Sequence, residues 1–199
     1  MPDQPTNRAA QTRVPIHPPI AGRWSPRAFD PESVLTVEQV TALLEAARWA
    51  ATWGTRQPVR FLVGLRGDDT FERLAGLLNR GNAWAKAAGA LILLCADEGG
   101  DADTALYSAV DGGSAMANLS IEAVSRGLIT HPMAGFDVAG ARVAFDLPDG
   151  VRPLMVIAVG CLGDYATVGP EIAERDGKAR DRKPLEEIAF RQTWGRSWL

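Results

Sequence analysis

The sequence predicts a domain of the α/β or α+β class in which helices cover both faces of a β-sheet. Three continuous apolar runs of strand length, at 61–65, 90–96 and 153–160, carry the prediction of a sheet. Such runs lack the alternation of a half-exposed strand and are typical of strands that are buried on both faces. The segments between them have apolar residues at helical spacing, and a chain of 199 residues is the size of one domain.

The first predicted helix covers residues 37–50 and is introduced by a capping box. Thr36 is followed three residues later by Gln39, so that each side chain can bond to the backbone N–H of the other residue. Apolar residues then recur along one helical face; they are Val40, Leu43, Leu44 and Ala47. A buried strand is expected next, at 61–65 after Pro58.

The middle of the chain alternates between helix and strand. A helix is expected at 69–79, a strand at 90–96, and the longest helical pattern covers 104–127. This long helix is rich in Ala and Gly, which allow another helix to approach closely, and Gly127 is placed to terminate it.

The remaining elements are shorter. A strand and loop are expected at 129–136, a helix at 139–145 and the last buried strand at 153–160. Polarity rises from residue 164 onward, and the tryptophans of this region have no obvious core of their own to join; they are Trp194 and Trp198.

Charge and composition narrow the classes of function. The net charge is −3, so no overall positive field predicts a nucleic-acid partner. No apolar run approaches the roughly 20 residues of a membrane-spanning helix. Residues 1–19 lack the apolar core of a signal peptide and are predicted to be a flexible tail, so the cytoplasm is the expected location. The two cysteines, Cys95 and Cys161, are expected to be buried, reduced thiols.

The sequence lacks several motifs of catalysis and cofactor binding. It contains no G-x-G, no G-x-x-x-x-G-K-[ST] and no G-x-S-x-G, the signatures of a dinucleotide-binding fold, a P-loop and a hydrolase elbow. Of its two histidines, His17 lies in the tail and His131 is expected to be a packed or hydrogen-bonded core residue. Two histidines do not build the usual metal clusters, so an enzyme of this sequence would use a bound organic cofactor.

One pair of arginines lies in the segment 23–27, which we expect to be extended. Pro26 disfavours a helical conformation at the residue before it. In an extended chain Arg23, Ser25 and Arg27 share one face. Two guanidinium groups and a hydroxyl would then face a single target.

A second pair, Arg180 and Arg182, precedes Pro184 near the other end and shares a face if that segment is extended. A phosphate monoester, with two charges and several acceptor oxygens, fits such donors better than a carboxylate does. Spacing alone leaves open the alternative that both pairs are solvated or bound to nearby carboxylates. Those carboxylates are Asp30, Glu32, Asp181 and Glu186.

These two segments resemble parts of the nitroreductase family of FMN-dependent oxidoreductases. The sequence RWSPRAF at 23–29 is similar to the family's opening R-x-S-x-[RK]-x-[FY], and RDRKPL at 180–185 resembles its [KR]-x-R-x-P. In the family these basic residues and the serine hold the FMN phosphate. The resemblance therefore assigns cofactor contacts to Arg23, Trp24, Ser25, Arg27, Arg180 and Arg182.

Three further segments between them resemble the family's flavin-binding loops. AATWGTRQPVRF at 50–61 is similar to A-[AP]-[ST]-[ST]-x-N-x-Q-P-W-x-F, although it departs from that pattern at Trp53, Thr55 and Val59. GNAW at 81–84 resembles G-N-x-x-W with one residue fewer, and HPMAGFD at 131–137 resembles the G-F-D loop beside the flavin ring. The implied cofactor contacts are Thr52, Trp53, Thr55, Gln57, Asn82, Met133, Ala134 and Gly135, with a backbone N–H of Ala134 or Gly135 directed at flavin N5.

The resemblance also implies an architecture. We expect an α+β fold, a three-layer α/β/α sandwich with a central mixed, mostly antiparallel sheet, in a domain-swapped homodimer with FMN at the interface. The long helix, from Asp111 to Leu128, would pack against its copy. The predicted regions are a tail at 1–19, an FMN-binding domain at 20–163, and a C-terminal arm at 164–199 that completes the phosphate site and wraps the partner.

The function implied by the resemblance is reduction of electron-poor small molecules, such as nitroaromatics or quinones. NADH or NADPH would pass hydride to flavin N5 and the acceptor would then take it in a ping-pong cycle, with no metal and no catalytic side chain. Two alternatives remain open. One is a flavin-binding or storage protein with little turnover, and the other is a reductase of enones or semialdehydes from the same family.

Overall fold

The computed structural model describes residues 8–199, which form one four-stranded sheet and six α-helices. The strands are β1 (Val59–Leu65), β2 (Ala90–Asp97), β3 (Ile129–Met133) and β4 (Val151–Gly160). The helices are α1 (Pro18–Gly22), α2 (Val37–Arg48), α3 (Asp69–Leu77), α4 (Ala102–Ser125), α5 (Val138–Ala144) and α6 (Pro170–Gly177). Short 3-10 helices cover Arg80–Ala87 and Leu185–Glu187.

The sheet has the order β1-β2-β4-β3, and all of its neighbouring strands are antiparallel. The two central strands meet with Ile92 opposite Ile157, and β3 joins the edge of β4 with Thr130 opposite Val159. The α+β class is therefore confirmed, while the parallel part of the expected mixed sheet does not occur within residues 8–199.

Strand β2 separates two hydrophobic cores. Its residues alternate between them, since Leu91 and Leu93 pack on one side whereas Ile92 and Leu94 pack on the other. Helices α3 and α5 cover the first face, and α2 and α4 cover the second. The predicted three-layer arrangement with a doubly buried central strand is confirmed.

Helix α2 begins with the predicted capping box. The backbone N–H of Gln39 donates to Thr36 Oγ1 at 3.1 Å, and the backbone N–H of Thr36 donates to Gln39 Oε1 at 2.9 Å. The reciprocal bonds satisfy two backbone donors that a helix start otherwise leaves without partners.

Helix α3 ends earlier than the predicted residue 79. Leu78 is extended, with φ −68° and ψ 133°, and it forms a β-bridge with Phe136. The bridge draws the chain out of the helix and towards the loop that follows β3.

Helix α4 is the longest element and packs against α2 and against all four strands of the sheet. It begins at Asp101, whose carboxylate accepts from the backbone N–H of Thr104 at 2.9 Å. After its last turn Gly127 has φ 73°, the left-handed conformation expected at this position. Its outer face leaves Leu106 and Val110 more than half exposed, at 58% and 54%.

The chain ends hold elements that apolar spacing did not predict, α1 and α6. The C-terminal residues lie over the surface, with Trp194 92% exposed and Trp198 62% exposed.

Of the cysteines, Cys95 is buried as predicted, and burial raises the pKa of its thiol to about 11. The same prediction is wrong for Cys161, which is half-buried because it follows the end of β4. No helix among residues 8–199 has the length and apolar character needed to cross a membrane.

Candidate functional site

The two arginine pairs converge on one cavity of about 440 Å³, which we call the cationic pocket. Its lining comes from residues 8, 23–27 and 175–182, the two ends of the described chain. Seven of the lining residues are basic and two are acidic, in a protein whose net charge is −3. The basic residues are Arg8, Arg23, Arg27, Arg175, Lys178, Arg180 and Arg182, and Trp24 and Ser25 also line the pocket.

Arg23 and Arg180 are positioned by contacts between the two ends. Arg23 is extended, with φ −66° and ψ 125°, and its Nη1 donates to Ser25 Oγ at 3.2 Å, as expected for residues on one face. The Arg180 guanidinium donates to the carbonyl of Arg23 at 2.7 Å and to that of Ala21 at 3.2 Å. It also donates to the carbonyl of Arg8. Arg180 therefore fixes the backbone that carries the first pair.

Arg27 is neutralised within the chain by Asp176 of α6. Its Nη1 lies 2.7 Å from Asp176 Oδ1, and its backbone N–H donates to Oδ2 at 2.6 Å. The Tyr165 hydroxyl donates to the same Oδ2 at 2.7 Å. Asp176 is 1% exposed, and burial, together with the Asp176 hydrogen bond and charge, raises the pKa of Tyr165. The aspartate thus holds three donors at one wall of the pocket.

The other arginines of both pairs have no such partner. Among residues 8–199, no carboxylate forms an ion pair with Arg23, Arg180 or Arg182. Burial, followed by the charge of Arg182, lowers the pKa of Arg23. Burial, followed by the charges of Arg23, Arg8 and Arg182, lowers the pKa of Arg180. Like charges held together in this way favour an anion between them.

A second cavity of about 460 Å³ adjoins the cationic pocket, because Arg23 and Ser25 line both. Its remaining lining is mostly apolar and comes from α1, α4 and β3; it consists of Ile20, Met116, Ala117, Ile121 and Pro132. The cavity therefore extends from the basic residues to the strand that leads into residues 133–135.

The loop after β3 is held by Asn82. Its Nδ2 donates to the carbonyl of Gly135 at 2.9 Å, and the backbone N–H of Asn79 donates to the same oxygen at 3.1 Å. A Cβ atom at Gly135 would lie only 2.8 Å from Asn82 Nδ2, so a side chain at this position would displace the Asn82 amide. Ala134 is exposed, whereas the Met133 side chain is buried in the core. The structure thus joins the predicted residues Asn82 and Gly135, with Met133 contributing packing.

The predicted loop at 52–57 lies elsewhere in the chain. Trp53 stacks on Tyr107 of α4 with ring centroids 4.8 Å apart, and its backbone N–H donates to the buried Asp111 carboxylate at 3.0 Å. Thr52 and Gln57 line an apolar cavity of about 410 Å³ between α2, β1 and α4. Thr55 lies beside Gln57 in a smaller, more polar cavity. Neither of these cavities shares a lining residue with the cationic pocket.

His131 is packed and hydrogen-bonded, as predicted, but it is half-buried and not part of the core. Its Nδ1 donates to the carbonyl of Pro26 at 2.9 Å, and its ring lies 4.5 Å from that of Trp84. Burial lowers the pKa of His131, so the ring favours the neutral form. Within residues 8–199, no group of His, Cys, Asp or Glu side chains is arranged to hold a metal ion.

Comparison with known proteins identifies the family. The sequence profile of the nitroreductase family matches residues 20–82 and 66–161. The chain belongs to the nitroreductase family. A 15.4 kDa Mycolicibacterium smegmatis protein, named only for the ask 5′ region, is 60% identical over 145 residues, which are 69% of this chain and 98% of that protein.

Two other comparisons extend over more of the chain. A Bacillus subtilis (strain 168) protein, YdgI, whose name proposes an NAD(P)H nitroreductase, is 25% identical over 85% of this chain and 94% of its own length. The crystal structure of an oxidoreductase containing FMN has a TM-score of 0.86 and 28% identity, covering 96% of this chain and 99% of its own. The nitroreductase fold is therefore shared along almost the whole chain.

The family motifs did not point to several residues of the cationic pocket. Arg8 lies in the segment predicted to be a flexible tail, and Arg175 and Lys178 lie in a polar stretch without a pattern. Asp176 was missed as the partner of Arg27 because the two are 149 residues apart. No spacing rule in the sequence links positions at that separation.

Proposed function

We propose that this chain is an FMN-dependent oxidoreductase that reduces electron-poor small molecules with NADH or NADPH. The observation that carries the proposal is the cationic pocket, in which Arg23, Arg180 and Arg182 have no carboxylate partner among the described residues, beside a more apolar cavity. A ligand with an anionic end and an apolar body matches this pair of cavities, and their volumes are in the range of small-molecule sites.

The phosphate of FMN fits the cationic pocket by charge and by donor chemistry. Arg23 and Arg182 offer guanidinium groups, Ser25 offers a hydroxyl, and Arg180 adds charge while it fixes the backbone of Arg23. Guanidinium groups bind phosphate oxygens with paired, charge-assisted hydrogen bonds. Burial is the larger cause of the lowered pKa values of Arg23 and Arg180, and repulsion between the arginines is the second cause. A dianionic phosphate would relieve that repulsion.

The ring system of the cofactor would extend into the adjoining apolar cavity towards the loop after β3. Bound FMN supplies hydride and electron transfer, which the side chains here do not provide by themselves. The protein itself would orient the cofactor and exclude water from it. Met116 and Ile121 provide an apolar wall, and Asn82 holds the backbone of Gly135 in place. Arg27, already paired with Asp176, keeps one wall of the pocket rigid.

The comparisons support the redox class and the choice of donor. The structure with 28% identity over nearly the whole chain is that of an oxidoreductase containing FMN. The name of the Bacillus subtilis relative proposes NAD(P)H and a nitro compound as reactants. We infer NADH or NADPH as the donor and a nitroaromatic, quinone or similar small molecule as the acceptor.

We also propose a homodimer that builds each site from both chains. The loop at 52–57 lines cavities separate from the cationic pocket within one chain, although the family resemblance places it against the flavin. A partner chain that contributes its loop would complete the site. The apolar side chains exposed on α4, Leu106 and Val110, give such a partner a surface to cover.

The first experiment is spectroscopic. The protein is purified, supplied with FMN, freed of unbound flavin, and its visible absorbance is recorded before and after NADH or NADPH is added without oxygen. We expect flavin bands that bleach with one or both donors. Bands that persist with both donors would favour a flavin-storage protein, and the absence of any bands would refute the proposal.

A pair of variants tests the phosphate assignment. Arg182→Gln removes one unpaired guanidinium, and we expect the FMN dissociation constant to rise about fivefold to tenfold, the effect of losing a solvent-exposed charge-assisted bond. Riboflavin, which has no phosphate, should bind to both forms equally well. Arg126→Gln makes the same charge change at an exposed pair with Glu122, away from the pocket, and should alter neither affinity. Equal losses for FMN and riboflavin in Arg182→Gln would contradict the assignment.

A further inference from the structure

The segment that precedes α1 forms part of the cationic pocket. Arg8 lines the cavity together with Arg23, Arg180 and Arg182, although it lies 15 positions before the first residue of the family motif. The backbone N–H of Ala10 donates to the carbonyl of Ala21 at 2.8 Å, which fixes the segment along α1. This backbone hydrogen bond keeps Arg8 beside the pocket.

The Arg8 side chain itself is held at several points. Its Nη2 donates to the carbonyl of Lys178 at 2.8 Å, and its guanidinium carbon lies 4.7 Å from the ring centre of Trp24. Its own carbonyl accepts from the Arg180 guanidinium. These contacts connect the segment to both walls of the pocket and orient a planar, charged group beside it.

The Arg8 guanidinium is incompletely satisfied by the protein. Its Nε–H is buried and has no hydrogen-bond partner among residues 8–199. Among the same residues no carboxylate forms an ion pair with it, and its charge adds to the repulsion felt by Arg180. A buried donor without an acceptor is uncommon in proteins and indicates capacity for a further acceptor.

We propose that Arg8 is a further ligand-binding residue of this chain, which contacts the phosphate of the flavin cofactor together with the basic residues of the family motifs. The inference rests on the proposed function, because it takes the pocket's anion to be that phosphate. It goes beyond the proposed function by giving the segment around 8–10 a role in affinity. An arginine suits the position, since its fork can keep the Lys178 carbonyl while it adds a bond to the anion.

The test compares two flavins in the full-length chain. Arg8→Gln, Arg8→Lys and wild type are stripped of flavin and titrated with FMN and with riboflavin, with quenching of flavin fluorescence as the readout. We expect Arg8→Gln to bind FMN about tenfold more weakly, the effect of losing one charge-assisted contact, with riboflavin binding unchanged. Arg8→Lys keeps the charge without the planar fork and should lose less.

Arg13→Gln is the matched control. It lies in the same segment and is paired with Glu186, and it lines a separate cavity that shares Arg23 and Arg180 with the cationic pocket, so the FMN affinity of Arg13→Gln should stay close to that of wild type. If Arg8→Gln weakens both flavins equally, or neither, while wild type binds FMN normally, the inference is wrong and the proposed function stands. If wild type binds no FMN, the proposed function and this inference fail together.

Discussion

Arg27 and Arg182 line the same pocket and carry the same charge, but among residues 8–199 only Arg27 has a carboxylate partner. Arg27 is bound through its side chain and its backbone to Asp176, which is almost fully buried. Arg182 is exposed and hydrogen-bonds only to the carbonyl of the residue before it, as far as residues 8–199 show. A buried ion pair fixes geometry, whereas an unpaired guanidinium is available to a ligand. We therefore assign rigidity to Arg27 and phosphate affinity to Arg182.

His131 gives the fold a dependence on pH. Burial lowers its pKa below the ordinary value near 6.5, and the charge of Arg27 acts in the same direction, while the Pro26 hydrogen bond and Asp176 oppose them. The unfolded chain therefore takes up a proton at a higher pH than the folded chain does. Stability that is present above about pH 6.5 must fall as the pH decreases below that value.

We expect the melting temperature of wild type to fall between pH 7 and pH 5.5, and to fall less in His131→Gln. Calorimetry at both pH values measures the change. His17→Gln is the control, since His17 is the other of the two histidines and is exposed, and it should keep the wild-type pH dependence. An identical dependence in His131→Gln and wild type would show that another group causes it.

Contacts between neighbouring residues could be predicted from local rules in the sequence, whereas contacts between distant residues could not. The common face of Arg23 and Ser25 was predictable, because extended geometry and a following proline are local rules. The meeting of that face with Arg180 followed from the family resemblance. The role of Asp176 could not be predicted, because its contact with Arg27 arises only when α6 docks against the other end of the chain.

Among the helices and strands, the boundaries were predicted well where the sequence contains a capping motif or a continuous apolar run. The capping box placed the start of α2, and the apolar runs placed β2 and β4 to within a few residues. The end of α3 was misplaced because a tertiary bridge at Leu78 overrides the helical pattern. Helix α6 was missed because it has only eight residues and a single large apolar side chain, Ile172, so its sequence offers no repeated apolar face.

Replacement of the α2 cap should destabilise the whole domain. Thr36→Ala removes the acceptor for the Gln39 N–H, and we expect the free energy of unfolding to fall by about 1 kcal/mol. Urea denaturation should show a lower midpoint with an unchanged slope. Thr41→Ala makes the same chemical change at an exposed position inside the helix and should be neutral or slightly stabilising. Equal losses in both variants would mean that the cap contributes nothing.

At the scale of the molecule, one chain leaves much apolar surface uncovered. Leu106 and Val110 project from α4, an apolar cavity of about 410 Å³ opens between α2, β1 and α4, and Trp194 is 92% exposed. Apolar groups of this size are usually covered by a partner in a soluble protein. The proposed homodimer accounts for them, with the C-terminal arm as the segment that crosses to the other chain.

Trp194 is expected to anchor that arm. Trp194→Ala should weaken the dimer by about 2 kcal/mol, roughly a thirtyfold higher dissociation constant, which is the effect of losing an interface hot spot. Sedimentation at a series of concentrations measures it. Val143→Ala, at an exposed position of α5 on the sheet face that α4 does not cover, should leave association unchanged. A wild-type protein that sediments only as a monomer would contradict the prediction.

The position of the cationic pocket also affects biosynthesis, because its walls come from residues near 8–27 and near 175–182. Translation supplies the first wall early and the second only when nearly the whole chain has left the ribosome. If the pocket holds the phosphate as we propose, a nascent chain that has already formed its sheet still lacks one of the two walls, and the cofactor would bind only late in synthesis. For the same reason, cleavage of the chain just before α6 would leave the residues of both hydrophobic cores in place and remove the wall that carries Arg180 and Arg182.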